Sequence, residues 1–234
     1  MSDVAVPPLV VLAVGEFMMG ESADDKFAND TERPAHRVHF TRAFALGKFP
    51  VTVGEYRAFR PGHAPADAGD LPVVNVSWEE ALAYCAWLSE QTVRAFRLPS
   101  EVEWEFACRA GSERPFAGGG EITPADANYF YDEHGQRIGP GARTPVGRYP
   151  ANAWGLHDLH GNVCEWVEDV WHSGYDSAPG DGAAWLANGD PRRRVIRGGA
   201  WDYLPRLLRC SWRDALPADS RRDNLGFRIA TNDL

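Results

Sequence analysis

The chain carries 23 glycines and 17 prolines, about one residue in six. Proline removes a backbone donor and glycine favours turns, so a chain rich in turns is expected. Disorder is excluded as well. Apolar residues make up 44% and charged residues 24% of 234 positions, enough to bury a core. Nine tryptophans are then expected to pin loops that no backbone ladder holds. Trp154, Trp166, Trp171, Trp185, Trp201 and Trp212 are the candidates, because the stretches 112–150 and 172–192 show no sustained period. No internal repeat or linker is present, so residues 1–234 read as one domain.

The formal net charge of −9 argues against neutralising nucleic-acid phosphates. The longest apolar run, VPPLVVLAVG at 6–15, is far short of the ~20 residues a membrane span needs and contains two prolines. No membrane association is expected. Asp3 stands where a secretory leader would be basic, which points to a cytoplasmic location; a monomer is expected. Cys85, Cys108, Cys164 and Cys210 form no C-x-x-C pair. Neither a zinc knuckle nor a disulfide framework is indicated, and four separate, reduced, buried thiols are expected.

Three helix starts are marked by capping boxes, in which a hydroxyl caps the first turn and a carboxylate reaches back. Thr52 with Glu55 opens VGEYRAF. Ser77 with Glu80 opens WEEALAYCAWLSEQTV, whose Ala81, Leu82, Cys85 and Leu88 form one apolar stripe. Ser100 with Glu103 opens EVEWEFACRAG, closed by Gly111. Acidic residues in the first turns complement the helix dipole. Ahead of these helices lie short strands. In HRVHF the period of two sends His36 and His39 to opposite faces, so the two cannot share a metal.

Seven strings in order carry a resemblance: GEFMMG (15–20), ERPAHRVHF (32–40), FPVTVGEYRAF (49–59), LPVVNVSWEEALAYCAWLSE (71–90), RLPSEVEWEFACRAG (97–111), GLHDLHGNVCEWVEDVW (155–171) and RVIRGGAW…NLGFRIA (194–230). From about residue 9 to 230 the chain resembles the formylglycine-generating enzyme, or sulfatase-modifying factor, family. The resemblance implies an α+β, C-type-lectin-like fold with little regular structure, stabilised by calcium and aromatic packing. It also implies a copper(I) site between two cysteines just after the RGGAW strand. Here that region holds only Cys210, with Tyr203 and Leu207 where the pair would lie. One thiolate cannot supply the two soft ligands Cu(I) prefers. Cys164 is the only other donor in view, and it lies in a different motif, so no copper is expected. The related iron-dependent sulfoxide synthases carry an H-x-x-x-H-x-E pattern, which is absent.

Asp158 and Glu165 lie seven residues apart around Gly161, and calcium takes 6–8 oxygens from carboxylates and carbonyls in a flexible loop. The resemblance implies a structural calcium ion held by the side chains of Asp158 and Glu165 and the carbonyls of Gly161 and Val163, and a second site involving Asn128. The alternative is a turn whose carboxylates accept backbone amides. His157 and His160 read as exposed turn histidines.

The segment 200–225 mixes fixed glycine, proline and tryptophan with varied side chains. Variable proteins of diversity-generating retroelements use this fold to display such a surface, and the window lacks Lys, Glu, Gln and Met. The alternative is an ordinary solvated loop. Asp202, Tyr203, Leu204, Arg206, Leu207, Trp212, Asp214, Leu216, Arg221 and Arg222 are the candidate ligand contacts, since aromatic and arginine side chains dominate binding hot spots. Trp201, Trp212 and Phe227 should turn inward as anchors. The expected function is a non-catalytic module binding a protein or small-molecule ligand. The rival is a divergent oxidoreductase acting on a protein or small-molecule thiol.

Overall fold

The computed structural model describes residues 4–21 and 25–234. Strands β1 (Leu9–Leu12) and β4 (Phe44–Gly47) pair antiparallel, with Leu9 opposite Gly47. Strand β10 (Ala230–Thr231) joins the other edge of β4 and then pairs with β5 (Phe96–Arg97), giving the order β1-β4-β10-β5. All four residues of β4 are buried, as a strand covered on both faces requires. Strands β2 (Gly15–Met19) and β3 (His36–Phe40) form a separate antiparallel pair. A second four-stranded sheet has the order β8-β7-β6-β9, from β6 (Cys164–Trp171), β7 (Asp190–Arg197), β8 (Arg213–Pro217) and β9 (Leu225–Phe227). Only its β6–β9 pairing is parallel.

The three expected helices are α1 (Val53–Phe59), α2 (Trp78–Thr92) and α3 (Glu101–Arg109), and each begins with the capping box read from the sequence. In α2 the Glu80 amide donates to the Ser77 hydroxyl and the Ser77 amide to Glu80. Its inner face is Ala81, Tyr84, Cys85 and Leu88, with Leu82 only half-buried. Tyr84 takes the inner place because its ring packs on Tyr56 and Phe227. In α3 the C-cap Ala110 is already left-handed, and Gly111 follows it at C′ with φ +85, as expected.

All nine residues of α3 are buried, including Glu101, Glu103, Glu105 and Arg109. Buried charge is tolerated only when paired. Arg213 makes two 2.7 Å bonds to Glu101, and Arg197 and Arg109 both reach Glu105. Arg97 grips Glu103 with two bonds of 2.6 Å. Elsewhere Arg209 clasps Glu32 and Arg228 clasps Glu165 in the same bidentate way. The acidic first turn of α3 therefore does more than complement a dipole: it supplies the counter-charges for arginines of the C-terminal third.

Tryptophans hold the irregular stretches as expected, with one exception. Trp154 packs on Phe106, Trp185 stacks on His172, and Trp171 lies against the Arg213 guanidinium. Trp166 is fully buried and donates to the Val76 carbonyl. Trp212 and Phe227 turn inward, but Trp201 is only half-buried, because it stands at the start of the turn that leaves the core. His36 and His39 point apart: the first meets the Tyr175 ring, the second is exposed near Glu16.

Arg209→Ala should cost about 3–5 kcal/mol in a urea titration, since it strands the Glu32 carboxylate. Phe227→Ala should cost a similar ~3–5 kcal/mol as a core truncation. A third prediction concerns acid. Burial pushes the Glu32 and Glu101 carboxyls up, but Arg209 beside the first and Arg213 and Arg197 beside the second outweigh it and hold both below the usual carboxylate range. Their folded pKa values lie below the unfolded one. The stability they contribute is complete above about pH 4.3 and is lost as pH falls through the depressed folded values. Melting temperatures between pH 7 and 3 should fall in that window, and Glu32→Gln should flatten the acid limb.

Candidate functional site

The segment after β7 begins with two left-handed glycines, Gly198 (φ +92) and Gly199 (φ +68). A Cβ on Gly199 would stand 2.6 Å from the Leu207 carbonyl, so only glycine lets the returning chain pass. The chain makes a turn at 201–203 and a short 3-10 helix at Pro205–Leu208, then enters β8. Asp202, Tyr203, Leu204, Arg206 and Leu207 lie half-buried along this stretch. Asp202 accepts two bonds from Asn224, and Arg206 is fixed by Glu133. The Tyr203 ring meets Trp212 edge-on, 5.5 Å between centroids.

The expected single face is not formed by all ten residues. Asp214, Arg221 and Arg222 are exposed, but Leu216 (8% exposed) and Trp212 (5%) belong to the interior. Leu216 shares a face of β8 with Asp214, yet its end of the strand is covered by the cluster containing Phe227 and Trp166. Arg221 bonds to Glu80 on α2, and residues 218–222 dock against the start of that helix. The contiguous part of the set is therefore 202–207.

Where the resemblance implies a copper pair, the Tyr203 phenol lies against the Cys164 thiol. Cys164 and burial push the phenol well above its ordinary range, and burial does the same to the thiol. Both groups stay protonated at neutral pH, so this place offers no thiolate.

The four cysteines are free and buried, but they are not all separate. Cys108 on α3 brings its sulfur to 3.4 Å from that of Cys210. Cys108, not Cys164, is thus the neighbour of Cys210. The two lie 102 positions apart, and no spacing rule would have joined them. His160 is no exposed turn residue: it is half-buried beside the pair and edge-on to Phe116. Its Nδ1 is 2.7 Å from the Leu208 carbonyl and its Nε2 accepts from the Ala117 amide at 3.1 Å. Electrostatically, the Cys210 sulfur favours an imidazolium there. The amide hydrogen aimed at Nε2 needs a lone pair and decides for the neutral ring. His157 is not exposed either: half-buried, it bonds the Tyr149 carbonyl and lies tilted against Phe49.

The implied calcium ligands divide. Glu165 is fully buried and engaged: Arg228 holds both its oxygens at 2.6 and 2.7 Å, and the Trp104 N–H donates to one of them. That carboxylate does not fit a calcium ion while the pair is intact. Asp158 fits better. It accepts the Gly147 amide and a long 3.4 Å bond from Asn162. Burial keeps its carboxyl above the ordinary range despite Gly147 and the nearby Arg228. Asn162 also accepts from Asn128, whose own Oδ1 is buried without a donor. Gly161 is left-handed (φ +80), with the Asn128 carbonyl 2.3 Å from where a Cβ would stand.

A cavity of about 850 Å³ lies elsewhere, among Val10, Val14, Phe17, Phe106 and Trp154, and no residue of 200–225 lines it. Nothing in the sequence pattern announced it.

The sulfatase-modifying factor enzyme 1-like domain matches residues 2–233. The inactive C-alpha-formylglycine-generating enzyme 2 of Mus musculus is 30% identical, over 97% of this chain and 86% of its own length. The formylglycine-generating enzyme of the same organism is 30% identical over 96% of this chain, which spans 62% of that protein. Among solved structures, PvdO from Pseudomonas aeruginosa superposes with a TM-score of 0.86 at 34% identity, over 96% of this chain and 94% of the other. Treponema denticola variable protein 1 shares the fold, with a TM-score of 0.79 at 22% identity over 96% and 94% of the two chains. The chain belongs to the sulfatase-modifying factor, or formylglycine-generating enzyme, family, with its C-type-lectin-like fold.

Proposed function

We propose that the domain is a non-catalytic module that presents the 202–207 stretch to a protein or small-molecule ligand. One observation carries this reading: the place of the implied copper pair holds a protonated phenol on a protonated thiol, Tyr203 on Cys164. The remaining close thiols, Cys108 and Cys210, are wholly buried and cannot meet a substrate without opening the fold. A relative of this family whose name records it as inactive spans nearly the whole chain. The stretch itself offers Asp202, Leu204 and an arginine held in place by Glu133, while Tyr203 and Leu207 pack against the core and fix its backbone.

The test is catalytic and thermodynamic. With copper(I) and oxygen, the full chain should leave a cysteine-containing peptide unchanged. It should also lose a competition for copper(I) against a sub-nanomolar chelator. Turnover, or a tight stoichiometric copper complex lost in Cys164→Ser or Cys210→Ser, would sink the proposal. Leu204→Ser, Asp214→Asn and Arg222→Ser should each shift stability by no more than about 0.5 kcal/mol, as groups that display rather than support.

We also propose a structural calcium ion at the 158–165 turn, centred on Asp158. Its support is the buried Asn128 Oδ1, which has no donor, linked through Asn162 to an Asp158 carboxylate whose Asn162 bond is a long 3.4 Å. An ion bound only by the folded state stabilises by mass action. Chelator should lower the melting temperature, and Asp158→Ala should abolish the difference. Glu165→Ala should instead destabilise with or without calcium, because it strands Arg228. Equal melting in calcium and in chelator rejects the ion.

A further inference from the structure

We propose that the strand edge running from Leu9 to Met18 is a docking site for an extended segment of a partner protein, apolar at alternate positions and basic between them, which adds one strand to β1 and β2. This surface is separate from the 202–207 stretch, since no residue of 200–225 lines it.

The backbone defines the edge. β1 ends its four-stranded sheet, and β2 pairs with β3 alone. β3 and β4 follow one another along the chain and run antiparallel to β2 and β1, with the register slipping by one residue between Leu12↔Phe44 and Gly15↔Phe40. In an antiparallel pair, alternate residues turn both backbone groups toward the partner strand and the others turn both away. The Lys48 amide donates to the Pro8 carbonyl at 2.7 Å, so Pro8, and with it Val10 and Leu12, face β4. Leu9 and Val11 therefore face outward. On β3 the His39 amide donates away from β2, to the Gly180 carbonyl at 2.8 Å. Its opposite number Glu16 accordingly faces outward, as do Met18 and, one step past β2, Gly20. At Gly20 the outward groups are taken: its amide donates to Glu105 and its carbonyl accepts from Arg109, both at 2.9 Å. At Leu9, Val11, Glu16 and Met18 they meet no protein partner among the described residues.

Nothing in the sequence of this edge blocks pairing. Exposed edges are usually guarded by proline or lysine. The run LVVLAVGEFMMG from Leu9 to Gly20 contains neither, and its one charge is Glu16. Val11, Val14 and Met18 are 61%, 58% and 43% exposed. Beside the edge lies the cavity of about 850 Å³, where residues 10–18 meet Phe106, Ser112, Glu113 and Trp154. An added strand bonds the outward amides and carbonyls, and its alternate side chains enter the cavity beside Phe106 and Trp154.

Charge selects the partner. The charged residues lining the cavity are Glu16, Glu21, Glu113 and Arg109. Arg109 is matched by Glu105, and Glu16 by Arg37 at 2.6 Å. Glu113 is exposed and makes no ion pair among the described residues. The lining is thus acidic, and a basic segment complements it. A second copy of this chain would bring Glu16 and Glu113 against the same acids, in a molecule of net charge −9.

The experiment uses the full chain and a fluorescein-labelled peptide that alternates valine or leucine with lysine over about nine positions, the span of residues 9–18. Fluorescence anisotropy should show saturable binding, and hydrogen exchange of the complex should protect 9–18 and leave 200–225 unchanged. Val11→Pro removes one outward donor and keeps the bonds of Val10 and Leu12 to β4, so it should weaken binding about tenfold. Glu113→Lys should weaken it severalfold and strengthen binding of the counterpart peptide with glutamate in place of lysine. The lysine peptide N-methylated at every residue, which has no amide to donate, should not bind. Absence of saturable binding overturns the proposal. So does equal binding by the methylated peptide or by Val11→Pro, or protection that falls outside 9–18. A concentration-dependent dimer that itself protects 9–18 also overturns it, in favour of a second copy. Where Val11→Pro fails to fold, the methylated peptide decides, because it leaves the protein untouched.

Discussion

The structure depends on arginine–carboxylate pairs taken out of water. Arg197, Arg209, Arg213 and Arg228 arrive with the C-terminal third, and Glu105, Glu32, Glu101 and Glu165 wait for them on earlier elements. Each pair crosses 60 or more positions of sequence. Such a pair gives little net stability against an apolar isostere, but breaking one is costly. It also demands one geometry, because a guanidinium fork meets a carboxylate in a single plane. Beside the two four-stranded sheets, these pairs fix how distant parts of the chain meet.

The same logic explains why α3 is the centre of the molecule. A nine-residue helix contributes little by itself. Buried on every side, it instead offers Glu101 and Glu105 to Arg213 and Arg197, and carries Trp104 to the Glu165 carboxylate. Glu165 is in turn gripped by Arg228. A helix, three strands of one sheet and the chain following β9 are thus joined through three carboxylates. The tryptophans act at a second level, fastening loops onto this frame.

Much of the fold was legible in the sequence, and the reasons are local. A capping box is a four-residue event, so Thr52–Glu55, Ser77–Glu80 and Ser100–Glu103 gave all three helix starts. The period of two in HRVHF separated His36 from His39 correctly. The site was less legible because its facts are non-local. No periodicity shows that Leu216 lies under the Phe227 cluster while Asp214 on the same face escapes it. Nothing in the spacing joins Cys108 to Cys210, and nothing along the chain shows that Glu165, which reads as a metal ligand, is already matched by Arg228. In each case a partner more than 60 positions away, or a covering cluster, changed the meaning of a residue.

That dependence on distant partners also separates frame from surface. The residues that hold the 198–213 segment, namely Gly199 at its crossing, Arg209 on Glu32 and Cys210 against Cys108, all face inward. Asp202, Leu204 and Arg206 lie between those anchors and touch neighbours only through exposed or half-exposed contacts. A stretch pinned at both ends by buried groups can change its outward side chains without loosening its backbone. Substitution at Asp202, Leu204 or Arg206 would therefore leave the frame to the arginines, whereas Tyr203 and Leu207, packed against the core, belong to that frame.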